Sequence, residues 1–238
     1  MKAYIAEAIG TCVLTLVLIL ATGANPWVAT IFAVFTLMYI AYSFGHVSGA
    51  HVNPALTIGA LATGRIGGLK ALYYVIAQIA GAAAAILVVK AAGVDLAAAA
   101  TTDFSWRLFF AEVIGMFIFG YGVAAVMAGR VHAAASGFVV GISLFGGIIV
   151  SSLLLSGTNM SAVLNPAVAY GLNALSVSSI LGAILGSVIG MWVFALLSEN
   201  VKTVCANAKK ALTGKGADTC GCDATCEVTA PTEGTKIA

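Results

Sequence analysis

Ser48-Gly49-Ala50-His51-Val52-Asn53-Pro54-Ala55 closes a long apolar run, and Asn165-Pro166-Ala167-Val168-Ala169-Tyr170-Gly171 closes another in the second half of the chain. Asparagine is a good residue to cap the start of a helix and proline is favoured at the first helical position. Each Asn-Pro-Ala therefore reads as the beginning of a helix. The largely apolar stretches that follow, Pro54 to Thr63 and Pro166 to Leu175, give helices of about 15 Å at 1.5 Å per residue. That is half the thickness of a bilayer's hydrocarbon core. One such motif alone is no more than a turn, but two in equivalent positions are the mark of a repeated unit.

The unit is visible around them. Ala6-Glu7-Ala8-Ile9-Gly10 returns as Ala111-Glu112-Val113-Ile114-Gly115, and Glu7 precedes Asn53 by 46 residues where Glu112 precedes Asn165 by 53. Composition supplies the medium. Hydrophobic residues make up 61% of the 238 and charged residues 8%, against roughly 45–50% and 25% in an average soluble domain, so a water-soluble fold could not bury the apolar surface. Six stretches of about 20 apolar residues, the length of one membrane span, lie near 3–23, 27–45, 69–92, 106–128, 133–156 and 179–200. The first has the basic start and small-residue end of a signal peptide, but Glu7 inside it suits a helix packed in a bundle.

Three spans per unit turn the second copy upside down relative to the first. Inverted repeats with interrupted helices are a recurrent way of building a site at the membrane midplane. The two short helices then start from opposite faces and point their N-termini at each other, focusing about half a positive charge from each end at the centre. Cations are repelled there, and the amides of Asn53 and Asn165 can donate to a passing oxygen. The loops leading in, His46 to Val52 and Gly157 to Leu164, are expected to line the passage with carbonyls, since non-helical backbone at that depth survives only beside a cavity.

Lys2, Arg65, Lys70, Arg130 and the five lysines beyond residue 200 fall on one side of a six-span arrangement, and Lys90 and Arg107 on the other. Positive residues concentrate on the cytoplasmic side, which predicts both termini there and the Asp95–Asp103 loop outside. No basic stripe suggests a nucleic-acid partner. The expected organisation is a membrane domain over 1–200, with repeat one at about 1–92 and repeat two at about 106–200, followed by a flexible cytoplasmic tail over 201–238.

With these motifs in place, the chain resembles the major intrinsic protein family of aquaporins and glycerol channels over about residues 3–200. The resemblance implies an all-α membrane fold of six transmembrane helices and two re-entrant half-helices, and a homotetramer with a pore in each protomer. It implies a channel function without enzyme activity or cofactor, with water and small neutral solutes as partners. It also implies that Glu7 and Glu112 accept hydrogen bonds from the signature loops. In the commonest family pattern an arginine follows the second Asn-Pro-Ala and narrows the outer constriction. Here Val168 stands there, as in the plant tonoplast branch that Asn165–Gly171 resembles. The remaining constriction positions, placed by counting from the motifs, are Ala33, Ile148 and Ala162, with an insertion of about five residues relative to the family between Gly157 and Ser161. This filter is apolar and wide, and it predicts passage of water together with glycerol, urea, ammonia or hydrogen peroxide.

Two other functions are compatible with parts of the sequence: an ion-coupled secondary transporter, which inverted repeats also permit, and a closed-pore protein whose tail binds metal. Few ionisable groups in the spans count against the first. Cys220, Cys222 and Cys226 are candidate ligands for a soft metal, although three cysteines without histidine fall short of a well-specified zinc site, and the simpler reading is a set of reduced thiols. His46 and His51 are expected to have structural roles in their loop. Cys205 is a candidate for acylation, and Cys12 is a packing residue. Gly182, Gly186 and Gly190, and Gly137 with Gly141, are expected to form close-packed faces inside the protomer.

Overall fold

The computed structural model describes residues 1–22, 25–96 and 103–213. Among them every regular element is helical, in the order α1 (Lys2–Thr22), α2 (Pro26–Ser48), α3 (Pro54–Ala62), α4 (Gly68–Ala91), α5 (Trp106–Met127), α6 (Ala133–Leu154), α7 (Pro166–Gly171), α8 (Val177–Ser198) and α9 (Val201–Thr213). Six of these are long and apolar enough to cross a membrane. Their outward surfaces carry large apolar side chains such as Phe32, Phe35, Leu72, Ile76, Leu196 and Leu197, far beyond what a protein facing water on all sides exposes. Four of the spans start on side chains that cap them: Asn25 for α2, Ser105 for α5, His132 for α6 and Ser176 for α8.

The helix contacts come in pairs. α1 packs on α2 and α4, and α5 packs on α6 and α8 in the same way. The short helix α3 lies against α8 and the short helix α7 against α4, so each short helix is seated on the opposite half. α2 meets α6, and α3 meets α7, where the halves join.

Small residues allow this approach. A methyl group added at Gly182, Gly186 or Gly190 on α8 would run into the backbone oxygens of Phe109, Val113 and Phe117 on α5. Across the α2–α6 contact, Gly137 lies against the ring of Tyr42 and Gly141 against Met38. These stripes pack within the chain.

Three elements differ from the sequence reading. α2 continues to Ser48, ending where Gly49 takes a left-handed conformation (φ 86°) and donates its N–H to the Gly45 carbonyl. The first re-entrant loop is therefore Gly49 to Asn53, and His46 belongs to a span. α7 stops at Gly171 instead of running to Leu175, because left-handed Asn173 (φ 57°) closes it in a Schellman-type cap, with Ala174 donating to the Ala169 carbonyl and Asn173 to that of Tyr170. Finally, Val201–Thr213 is helical and not part of a flexible tail. Its buried residues Val204, Ala208 and Ala211 recur at the i, i+4, i+7 spacing of one helix face, a stripe hidden by the polar average of the segment. α9 rests on the Thr63-Gly64-Arg65 turn, where Gly64 (φ 71°) has no room for a side chain beside Asn207 and Ala208. Cys220, Cys222 and Cys226 lie outside the described residues.

A contrast between two helical glycines tests the packing account. Gly186→Ala should lower the melting temperature of the detergent-purified protein, since overpacking costs about 1–3 kcal/mol. Gly45→Ala meets nothing within 4 Å and should leave the melting temperature unchanged or raise it, alanine being the better helix former by up to about 1 kcal/mol. Equal losses at both sites would refute the assignment of α8 as a close-packed face.

Candidate functional site

The two Asn-Pro-Ala motifs meet. Each asparagine begins its helix from an extended conformation (φ −155° at both), and Oδ1 of Asn53 accepts from Ala55 N while that of Asn165 accepts from Ala167 N and Val168 N. Proline occupies the next position, where its missing N–H leaves no bond unmade. The other end of each amide reaches across the junction. Asn53 Nδ2 donates to the Leu164 carbonyl at 2.8 Å, and Asn165 Nδ2 donates to the Val52 carbonyl at 2.9 Å. Ala55 and Ala167 are completely buried beside them, so nothing larger than a methyl group fits where the two helix starts face one another.

The carbonyls of Val52 and Leu164 are thus each held by the asparagine of the opposite motif, which uses one of the two lone pairs of each oxygen. Their orientation depends on an uncommon backbone. Val52 has φ 39° and Leu164 φ 58°, left-handed values that cost a non-glycine residue about 1–3 kcal/mol. The N–H groups of these same residues end on carboxylates: Val52 N donates to Glu7 Oε2 at 2.6 Å and Leu164 N to Glu112 Oε2 at 3.1 Å.

Glu7 and Glu112 are both buried, but they are not equally occupied. Glu7 Oε1 accepts from Ser48 Oγ and His51 N, and its Oε2 accepts from Val52 N and Gln78 Nε2, four donors between 2.6 and 2.9 Å. Among the described residues Glu112 accepts from Val163 N and Leu164 N alone. Gln78 also donates to Thr57 Oγ1, which lies 3.1 Å from His51 Nδ1, and the His51 ring stands edge-on to Tyr74. The sequence reading misses Gln78, Ser48 and Thr57. Gln78 had left a signal, as the one glutamine in an otherwise apolar span.

A cavity of about 140 Å³ leads to the junction and is bordered by both asparagines. Ala33 from α2, Ile148 from α6, Ala162 from the second loop and Val168 from α7 all line it. Val168 is 1% exposed on the outer surface, so it does not face lipid. Leu14, Leu37, Phe119 and Leu144 complete an apolar wall, while Ser152 and Ser161 add hydroxyls. Among the described residues no Asp, Glu, Lys or Arg side chain borders the cavity. The second loop is tied at its start by Arg107, whose guanidinium donates to the carbonyls of Leu154 and Ser156 at 2.9 Å each. Among the described residues no group of His, Cys, Asp or Glu is arranged to hold a metal ion.

Six apolar spans, two short helices meeting at paired asparagines and an uncharged cavity leading to that meeting point define an integral, multi-pass membrane protein of the aquaporin fold. The chain belongs to the major intrinsic protein family, whose family model, described as "Major intrinsic protein", matches residues 1–197. It is 34% identical to glycerol uptake facilitator protein-like 6 of Lactiplantibacillus plantarum over 74% of this chain and 88% of that one. It is 32% identical to aquaporin Z of Bradyrhizobium diazoefficiens over 89% of this chain and 99% of the relative. Aquaporin TIP1-2 of Musa acuminata is 33% identical over 56% of this chain and 54% of its own length.

The unequal loading of the two carboxylates predicts unequal sensitivity to amide replacement. In Glu7→Gln the new NH₂ must face two donors, whereas in Glu112→Gln it need face only one. Each buried donor left unsatisfied costs about 1–3 kcal/mol. Thermal melting in detergent should therefore fall further for Glu7→Gln than for Glu112→Gln, and equal shifts would contradict the hydrogen-bond count.

Proposed function

We propose that the chain is a passive channel for water and for small neutral solutes such as glycerol, urea, ammonia or hydrogen peroxide. The observation that carries this reading is the wall of the cavity: Ala33, Ile148, Ala162 and Val168 border one uncharged space that also reaches Asn53 and Asn165. A solute passing there meets methyl and methylene groups on most sides and a few polar groups, among them the second N–H of each asparagine amide. One N–H of each is already committed across the junction, so the pair offers a passing oxygen two aligned donors.

Without an arginine at Val168, ion exclusion falls on dehydration and on the helix ends. Two half-charges about 5 Å from a monovalent cation amount to at most about 3 kcal/mol at an effective dielectric of about 20. Stripping an ion of water costs several kcal/mol even after relaxation. Dehydration is the larger barrier, and the helix ends add a preference against cations, as in other pores of this kind. Ion-coupled transport is disfavoured because the carboxylates buried in the spans, Glu7 and Glu112, are spent on loop backbone. The relatives named aquaporin and glycerol uptake facilitator support the same reading. The concentration of Lys and Arg on one side supports cytoplasmic termini, and the family resemblance supports a homotetramer. The membrane domain ends near residue 200.

Stopped-flow light scattering of proteoliposomes tests the filter assignment. Vesicles holding the native chain should shrink rapidly in sucrose, then re-swell in glycerol and urea. Val168→Arg should slow glycerol and urea entry at least tenfold while water flow falls by less. Unchanged glycerol and urea rates in Val168→Arg would remove Val168 from the constriction, and the absence of osmotic shrinkage above that of empty vesicles would sink the channel reading.

A further inference from the structure

The face of the molecule that holds the start of α1 and the end of α8 contains a second cavity, of about 310 Å³ and polar. It lies between three segments that each close a span: the α3–α4 turn with Thr63 and Arg65, the α5–α6 turn with Arg130, and the α8–α9 connection with Glu199, Thr203 and Asn207. The charges do not cancel. Among the described residues that line it the one carboxylate, Glu199, is bound by Arg65 at 2.5 Å from Nη2 to Oε1, which leaves Arg130 as the cation in excess of that pair. Arg130 gives Nη2 to the Ser198 carbonyl at 3.0 Å. A guanidinium has five N–H donors in a planar fork, so most of this one remains for a ligand. Thr203 and Asn207, one turn apart on α9, add a hydroxyl and an amide on the same wall. Lys202, Lys209 and Lys210 on the exposed surface of α9 raise the positive potential around the entrance.

We propose that this pocket binds a phosphate group, held by Arg130 in bidentate fashion and by the Thr203 and Asn207 side chains. A planar fork matches two phosphate oxygens in a way that an ammonium does not. The same chemistry is offered by a phosphorylated lipid headgroup and by a free phosphate ion. Basic pockets between span ends are known to receive such headgroups. On α9, Val201, Cys205 and Leu212 are exposed together on one flank, an apolar strip that suits the edge of a bilayer. The bound group would tie α9 to the turn at the end of α3, the half-helix begun by Asn53.

Thermal melting of the full chain in detergent, at ionic strength held constant with sodium chloride, tests the site with two probes. One is inorganic phosphate, and the other is dioctanoyl phosphatidylinositol 4-phosphate with dioctanoyl phosphatidylcholine as its control. A saturable rise in melting temperature is expected with at least one probe, and the apparent affinity should fall at least tenfold in Arg130→Ala and less in Arg130→Lys. Arg130 is exposed and touches one surface carbonyl, so Arg130→Ala should fold. Asn207→Ala provides a second variant with the same expectation of weakened binding. A rise with the inositol lipid alone assigns the pocket to a headgroup, and a rise with inorganic phosphate assigns it to a soluble anion. No rise beyond the chloride and phosphatidylcholine controls, or a rise that survives both Arg130→Ala and Asn207→Ala, overturns the proposal.

Discussion

Two hydrogen bonds hold the halves of this molecule at a fixed separation: the amide of Asn53 on the carbonyl of Leu164, and that of Asn165 on the carbonyl of Val52. Both are buried, and a buried donor or acceptor that loses its partner costs about 1–3 kcal/mol. Each asparagine works in two directions, with its oxygen starting a helix and its nitrogen gripping the opposite loop. The junction is therefore built from the same atoms that terminate the short helices. Its geometry requires Val52 and Leu164 to adopt left-handed backbone, and the carboxylates of Glu7 and Glu112 stabilise that shape by taking the N–H groups it turns away from the junction. The repeated Ala-Glu pairs and the Asn-Pro-Ala motifs of one sequence are parts of one hydrogen-bonded unit.

That unit is built twice, but not identically. The first loop is short and its carboxylate takes four donors, including Gln78 from α4 and Ser48 from the end of α2. The second loop is longer and its carboxylate takes two. On the second half it is Gly182 of α8 that lies against Glu112, and it has no side chain to donate. Arg107 compensates at a different place, holding the carbonyls at the end of α6. The half of the site that carries the proposed constriction is thus anchored at its two ends, while the other half is saturated with hydrogen bonds along its length. Substitutions in the second loop can be accommodated by small shifts that the first loop would resist.

The close packing of α8 on α5 and of α6 on α2 works with this arrangement. Between α8 and α5 glycine meets backbone oxygen, with no large side chain between the helices, whereas between α6 and α2 the glycines make room for Tyr42 and Met38; the space left at the centre is shaped by α3 and α7. In a bilayer, where lipid tails are as apolar as leucine, contact at this range supplies much of the attraction between helices.

The membrane fold was legible from the chain because its signals are local or repeated. Apolar runs of span length, proline after a capping asparagine and the recurrence of both in one order need no knowledge of distant contacts, and the valine at 168 is simply read off the second motif. The helix of residues 201–213 and the early end of α7 were not legible in the same way. The first depends on three small apolar residues finding a seat on the turn at Gly64, and the second on one left-handed asparagine. The exchange of asparagine amides across the junction, the reach of Gln78 to Glu7 and the gathering of Ala33, Ile148, Ala162 and Val168 on one wall join residues tens to more than a hundred positions apart. Sequence determined which groups were present and which helices they would start; only the folding of one inverted half against the other decided which donor met which acceptor, because that is set by distances between segments and not by the order along them.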